Sequence, residues 1–159
     1  MKRPVPLTKK RQVSHPRPVP RPQTFYFECK SDPKEIRKIE PFLQKMNEVA
    51  RLDDGTFYRL LVAGTEAVNN AILHGNKSDP GKTVYVMCVV DKDSLVFCVK
   101  DHGKGFRPEE VPDPLEEKNL LKTSGRGIFL MRSLMDKVSF RITSEGTEVE
   151  LVINLRHLG

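Results

Sequence analysis

No stretch of the chain reaches the run of about 18 apolar residues that a membrane-spanning helix requires, so no span is expected. No apolar segment follows the basic start either, which argues against a secretion signal and makes the cytoplasm the expected compartment. Cysteine is scarce. Cys29, Cys88 and Cys98 are an odd set without CxxC spacing, which argues against a disulfide framework and a zinc site and points to packing as their role. Acidic side chains are missing from the first 22 residues, which hold seven basic ones: Lys2, Arg3, Lys9, Lys10, Arg11, Arg17 and Arg21. Taking those seven from the total of 27 leaves 20 basic against 21 acidic residues, so the formal charge of +6 belongs to the tail and the remainder is nearly neutral.

The same tail holds six of the twelve prolines and too little apolar surface to offset the entropy of ordering it. It is expected to be disordered or extended. Its charge suits weak attraction to acidic partners, anionic lipid or nucleic acid, although a plain solvated leader with no dedicated partner is the simpler account. Residues 23–159 remain as one domain, because the length suffices for one core and not for two.

Past the tail, TFYFE (24–28) has the content of a strand. Asp32, Pro33 and Glu35 then read as N-cap, first helical position and capping box. Ile36, Ile39, Phe42, Leu43, Met46 and Val49 recur at helical spacing, with a kink or break expected at Pro41. A second helix spans from near Asp54 to Gly75, its core stripe being Phe57, Leu60, Leu61, Gly64, Ala67, Val68, Ala71 and Ile72. TVYVMCVV (83–90) and SLVFCVK (94–100) form a hairpin around Asp91 and Asp93. Residues 101–124 read as a long loop of the kind that serves as a lid or binding segment. GIFLMRSLMD (127–136) is helical through Ile128, Met131, Leu134 and Met135, and two final strands flank the Ser144, Glu145, Gly146 turn. Strands paired as hairpins, with helices between them, indicate an α+β two-layer sandwich: a mixed, mostly antiparallel sheet with helices on one face.

Three polar clusters interrupt this pattern. In EAVNNAILHG (66–75), Glu66 and Asn70 are four residues apart, roughly 40° around the helix axis, on the edge of the apolar stripe. In DHGKGF (101–106), an Asp at a strand end precedes Gly103 and Gly105, where backbone can approach a flat ligand; an ordinary turn explains it too. In SGRGIF (124–129), Gly125 and Gly127 stand at a helix start, where free N–H groups favour a phosphate, or simply form a loop end.

Taken in order, these clusters resemble the GHKL (histidine kinase-like) ATPase superfamily, the Bergerat ATP-binding fold of histidine kinases, gyrase and MutL. EAVNNAILHG, DHGKGF and GRGIFLMRSLMDKV are most similar to its anti-sigma factor serine-protein kinases, the switch kinases of stress and sporulation, over roughly residues 24–156. The resemblance implies ATP and Mg²⁺ as cofactors. Asn70 would ligate the metal through its amide oxygen, and Glu66 would be the catalytic base or orient the attacking oxygen. Asp101 would accept a hydrogen bond from the adenine amine, supported by Thr147, and a guanine carbonyl there would be repelled. Gly103 and Gly105 would make room for the nucleotide, and Gly125 and Gly127 would present backbone donors to its phosphates. Arg126 and Lys122 would add positive charge.

His74 suits a hydrogen-bonding role at the helix end rather than catalysis. None of His15, His74, His102 or His157 lies on a separate dimerisation helix, which argues against autophosphorylation. The implied partners are a STAS-domain anti-sigma-factor antagonist, phosphorylated on serine, and a sigma factor or analogous regulator that is sequestered. Arg37 falls near the family's partner-contacting region, and a homodimer is expected. A non-catalytic, nucleotide-gated protein-binding module of a partner-switching system is the alternative. Nucleic-acid binding through the basic tail is a third expectation, marked by steep salt dependence.

Overall fold

Five strands and three α-helices make up the described residues, which are 21–103 and 123–155 of the computed structural model. Strand β1 (Gln23–Lys30) leads through a 3₁₀ helix (Pro33–Lys38) into α1 (Ile39–Ala50) and then α2 (Asp54–Asn70), which ends in one π turn (Ala71–Gly75). The hairpin β2 (Thr83–Val90) and β3 (Ser94–Lys100) follows, then α3 (Thr123–Leu134) and the hairpin β4 (Lys137–Thr143) and β5 (Gly146–Asn154). The sheet order is β1-β2-β3-β5-β4, and all of these neighbours pair antiparallel, so the sheet expected to be mixed is antiparallel throughout the described residues.

Alternation along the strands separates the two faces. Val84, Val86, Cys88 and Val90 of β2 point inward with Leu95, Phe97 and Val99 of β3 and Leu151 and Ile153 of β5, all buried. Against them lie Leu43 and Met46 of α1, Leu60, Val68 and Ile72 from α2 and its π turn, and Ile128 and Met131 of α3. Tyr26 and Tyr85, one residue out of step with the inward sets, are exposed on the other face. This is the two-layer α+β architecture that the hairpin order implies. The three cysteines are free and buried, and burial pushes the Cys88 thiol up to about 12, as inert packing requires. Among the described residues no helix is long and apolar enough to cross a membrane.

Local chemistry explains where the helices begin and end. The break expected at Pro41 falls earlier: the chain runs as a 3₁₀ helix to Lys38 and starts a new α-helix at Ile39. Pro41 thereby occupies the third position of α1, where a backbone N–H would have no intrahelical acceptor, and its missing donor costs little. The capping box does not form. Asp32 Oδ1 accepts the Lys34 N–H at 2.9 Å, while Glu35 turns outward to Lys38 Nζ at 2.7 Å. Val49, assigned to the core stripe, is 49% exposed near the end of α1, where Arg51 adopts a left-handed conformation and turns the chain away.

Asp53 is the cap of α2; its Oδ1 accepts the Thr56 N–H at 3.0 Å and its Oδ2 the Thr56 hydroxyl at 2.6 Å. These bonds hold the Asp53 carboxyl below the usual carboxylate range. Helix α3 starts four residues before the expected 127, at Thr123, and stops at Leu134, so Asp136 lies beyond it. There Arg59 of α2 donates from Nε to the Leu134 carbonyl at 2.7 Å, satisfying an orphan acceptor at the end of α3 and tying the two helices together.

Phe97 is fully buried in the sheet and touches α2 at Gly64, where an added Cβ would come within 3.3 Å of its ring. Phe97→Ala should therefore cost about 3–5 kcal/mol of stability, measurable by denaturant unfolding.

Candidate functional site

The polar edge of α2 is positioned by the apolar stripe beside it. Because Ala63, Ala67 and Val68 are buried against the core, Glu66 is left half-buried and Asn70 is buried, with 9% of its surface exposed. Helix α3 packs along this edge. A Cβ added at Gly127 would come 2.9 Å from Glu66 Oε2 and 3.3 and 3.4 Å from Nδ2 and Oδ1 of Asn70. Only glycine permits that approach without displacing the two side chains. Burial raises the Glu66 carboxyl above the usual carboxylate range, and the neighbouring Arg126 guanidinium offsets part of the effect. Asn70 caps no backbone group of the π turn that follows, so its alternative role as a local cap is not taken up.

A second cluster lies where β3 ends. Asp101 is 4% exposed, and its Oδ1 accepts the Gly103 N–H at 2.8 Å and the Thr147 N–H at 3.1 Å. The Asp101 N–H donates to the Thr147 carbonyl at 3.0 Å. Three glycines enclose this carboxylate: a Cβ at Gly75 would strike Asp101 Oδ2, one at Gly103 would strike the Gly75 carbonyl, and one at Gly146 would strike the Asp101 carbonyl. Gly146 also has φ +151°, which L side chains rarely adopt. Thr147 Oγ1 is buried without a hydrogen-bond partner among the described residues.

The residues named from the sequence thus fall into two groups, Glu66, Asn70, Arg126 and Gly127 at one place and Asp101, Gly103 and Thr147 at the other. Gly125, the third residue of α3, is buried and is the last whose N–H lacks an intrahelical acceptor; Gly127, the fifth, lies two residues past it. Gly105 and Lys122 lie outside the described residues. His74 and Arg37 are exposed, and His102 meets the Tyr85 ring edge-on at 5.7 Å.

Sequence reasoning missed Asn76, Gly75 and Gly146 as parts of the site. Asn76 is 1% exposed, and its Oδ1 accepts the His102 N–H at 2.7 Å. The available signal was a second amide directly after the helix-stopping glycine.

The donor chemistry fits the implied cofactors. Asn70 offers one hard amide oxygen, enough for Mg²⁺ only where phosphate oxygens and waters complete an octahedron. Thr147 Oγ1 is an unsatisfied buried polar atom beside Asp101, of the kind that a bound ligand or ordered water completes.

Residues 29–153 match the family model described as a histidine kinase-like ATPase domain. An Anti-sigma F factor of Anoxybacillus flavithermus is 38% identical over 123 residues, 76% of this chain and 77% of that protein. Another from Oceanobacillus iheyensis is 33% identical over the same shares of each chain. Among solved structures, the histidine kinase domain of the Erythrobacter litoralis EL346 blue-light activated histidine kinase matches at 18% identity with a TM-score of 0.48. That match covers 76% of this chain and 60% of that one, and it is too distant to speak to activity.

Because burial raises the folded-state pKa of Glu66, its ionisation opposes folding; the penalty is absent below the usual carboxylate range and complete once the pH exceeds the raised value. Glu66→Gln should raise the melting temperature at pH 7 and lose that advantage at pH 4, as thermal scans at both values would read.

Proposed function

The chain belongs to the histidine kinase-like ATPase family, and from that premise we propose that it is an ATP- and Mg²⁺-dependent serine-protein kinase and anti-sigma factor. One observation carries the reading: a carboxylate whose pKa is raised and a buried carboxamide converge on Gly127 in α3, whose first turn also holds Gly125. Phosphoryl transfer needs positioning and charge neutralisation more than strong base chemistry, and this seam offers both.

In the proposed reaction the serine hydroxyl oxygen of a protein partner forms a bond to the γ-phosphorus of ATP. The bond to the bridging oxygen breaks, ADP leaves, and the hydroxyl proton passes to Glu66. Burial raises Glu66 toward the range in which a carboxylate accepts such a proton. Asn70 would hold Mg²⁺, which when bound neutralises charge on the phosphates. Gly125 would donate its free backbone N–H to the same phosphates, Gly127 would give them room against α2, and Arg126 would add positive charge beside Glu66. At the other end Asp101 Oδ2, its partner oxygen already committed to two N–H groups, would accept from the adenine amine, with Thr147 Oγ1 adjacent; the space left by Gly103 is taken by the Gly75 carbonyl and holds the turn rather than the nucleotide.

The relatives named Anti-sigma F factor support a sigma factor or analogous regulator as the sequestered partner; a STAS-domain antagonist that is phosphorylated is proposed beside it from the sequence resemblance. A cytoplasmic homodimer, preceded by a basic tail over residues 1–22, completes the reading. The proteins would be mixed with Mg-ATP and a STAS-domain partner, and phosphate on the partner followed by intact mass; tight ATP binding without transfer would leave a nucleotide-gated binding module instead.

Asn70→Ala should weaken Mg-ATP affinity by tenfold or more in calorimetry, roughly the loss of one charge-assisted contact. Glu66→Ala should leave affinity within about threefold, well under 1.4 kcal/mol, while transfer falls by about 10²-fold or more. A normal transfer rate in that variant refutes the base assignment.

A further inference from the structure

Asn76 joins four segments, two of them distant from it in sequence. Its own N–H closes the π turn on the Ala71 carbonyl at 2.8 Å. Its Nδ2 donates to Ser31 Oγ at 2.7 Å, just beyond β1, and lies 3.4 Å from the Thr83 carbonyl at the start of β2. Ser31 Oγ in turn donates to the Lys82 carbonyl at 2.8 Å, and both Ser31 and Asn76 are buried. The remaining function of the carboxamide is directed at the turn after β3, where Oδ1 accepts the His102 N–H at 2.7 Å.

That last bond fixes the peptide between Asp101 and His102. The neighbouring N–H, of Gly103, is held by Asp101 Oδ1 itself, so consecutive amides of the turn are pinned by two different side chains. Between them they also set how closely the turn approaches the end of α2, where Gly103 lies on the Gly75 carbonyl and Gly75 on Asp101 Oδ2. Asp101's own bonds to Thr147 hold it to β5, and the Asn76 bond holds the other side of the same turn; a tilt of the Asp101–His102 peptide would shift the Gly103 N–H that Oδ1 accepts and so re-aim Oδ2.

We infer that Asn76 is a positioning residue for base selectivity: by holding the His102 amide and seating on Ser31, it fixes the direction of the Asp101 carboxylate toward an adenine-type exocyclic amine. The inference rests on the proposed nucleotide reading and concerns only its base end. Asn76 touches neither Glu66 nor Asn70 in the bonds described, so the phosphate end is unaffected by its loss.

The test is calorimetric binding of ATP and GTP at saturating Mg²⁺ to the full chain and to Asn76→Ala, with thermal melting alongside. Wild type should prefer ATP; Asn76→Ala should lose about tenfold in ATP affinity, the fold-change that one hydrogen bond allows, with little change for GTP, so that the ratio collapses. An unchanged ratio in a folded Asn76→Ala protein overturns the inference, and so does an equal loss for both nucleotides, which marks a purely structural role. If Asn76→Ala does not fold, Ser31→Ala, which keeps the bond to His102 but removes the seat of the carboxamide, should lower the ratio by about twofold to fivefold; an unchanged ratio there overturns it as well. Wild type that binds neither nucleotide, or both alike, refutes instead the reading on which the inference depends.

Discussion

Close backbone approach around one buried carboxylate is the constraint on which the rest of the site depends. Asp101 would pay a large desolvation cost at 4% exposure if it stood alone, and it is tolerated because Oδ1 accepts two backbone N–H groups. Those donors come from the turn after β3 and from the start of β5, so the carboxylate ties adjacent strands at the point where the ladder ends. The approach is possible only because Gly75, Gly103 and Gly146 have no Cβ. A side chain at any of them would push the turn from the sheet or from the end of α2.

Helix α2 links this cluster to the seam with α3. Its apolar stripe seats on Phe97 and its neighbours, and that seating fixes where its polar edge lies. The helix widens into a π turn directly after Asn70, an irregularity that often accompanies functional sites. The widened turn delivers Gly75 and Asn76 to the Asp101 cluster, whereas a helix continued in regular α geometry would turn them to different azimuths. At the seam, Gly127 brings α3 onto Glu66 and Asn70, while Arg59 secures the far end of α3 at the Leu134 carbonyl. A half-buried carboxylate on such a seam works against stability, and proteins retain such groups mainly where chemistry uses them.

Much of the fold was legible from local patterns. The hairpins at 83–100 and 137–154 follow from period-two alternation and turn residues, and Asp91 closes the first by accepting the Ser94 N–H at 2.8 Å. The stripe of α2 follows from 3.6-residue spacing, and its end at Gly75 from glycine chemistry. The failures have local causes overridden by packing. Val49 keeps the helical phase yet lies past the edge of the core, and Glu35 found Lys38 nearer than the backbone it was expected to cap. Pro41 was rightly a disruption, but the chain absorbed it by switching helix type upstream, which composition does not encode.

The sequence by itself determined the elements, the polar edge of Glu66 and Asn70, and the Asp-Gly turn, because each is set by residues within a few positions of one another. Only the tertiary structure decided that Asn76 would hold the His102 amide 26 positions away, or that Thr147 would donate to Asp101 across 46. It alone made Gly75, Gly127 and Gly146 sites of contact rather than punctuation. The physical reason is range: helical and strand periodicity are read from neighbours along the chain, whereas hydrogen bonds and steric clearances between distant segments exist only after the sheet register and helix seating have brought those segments together.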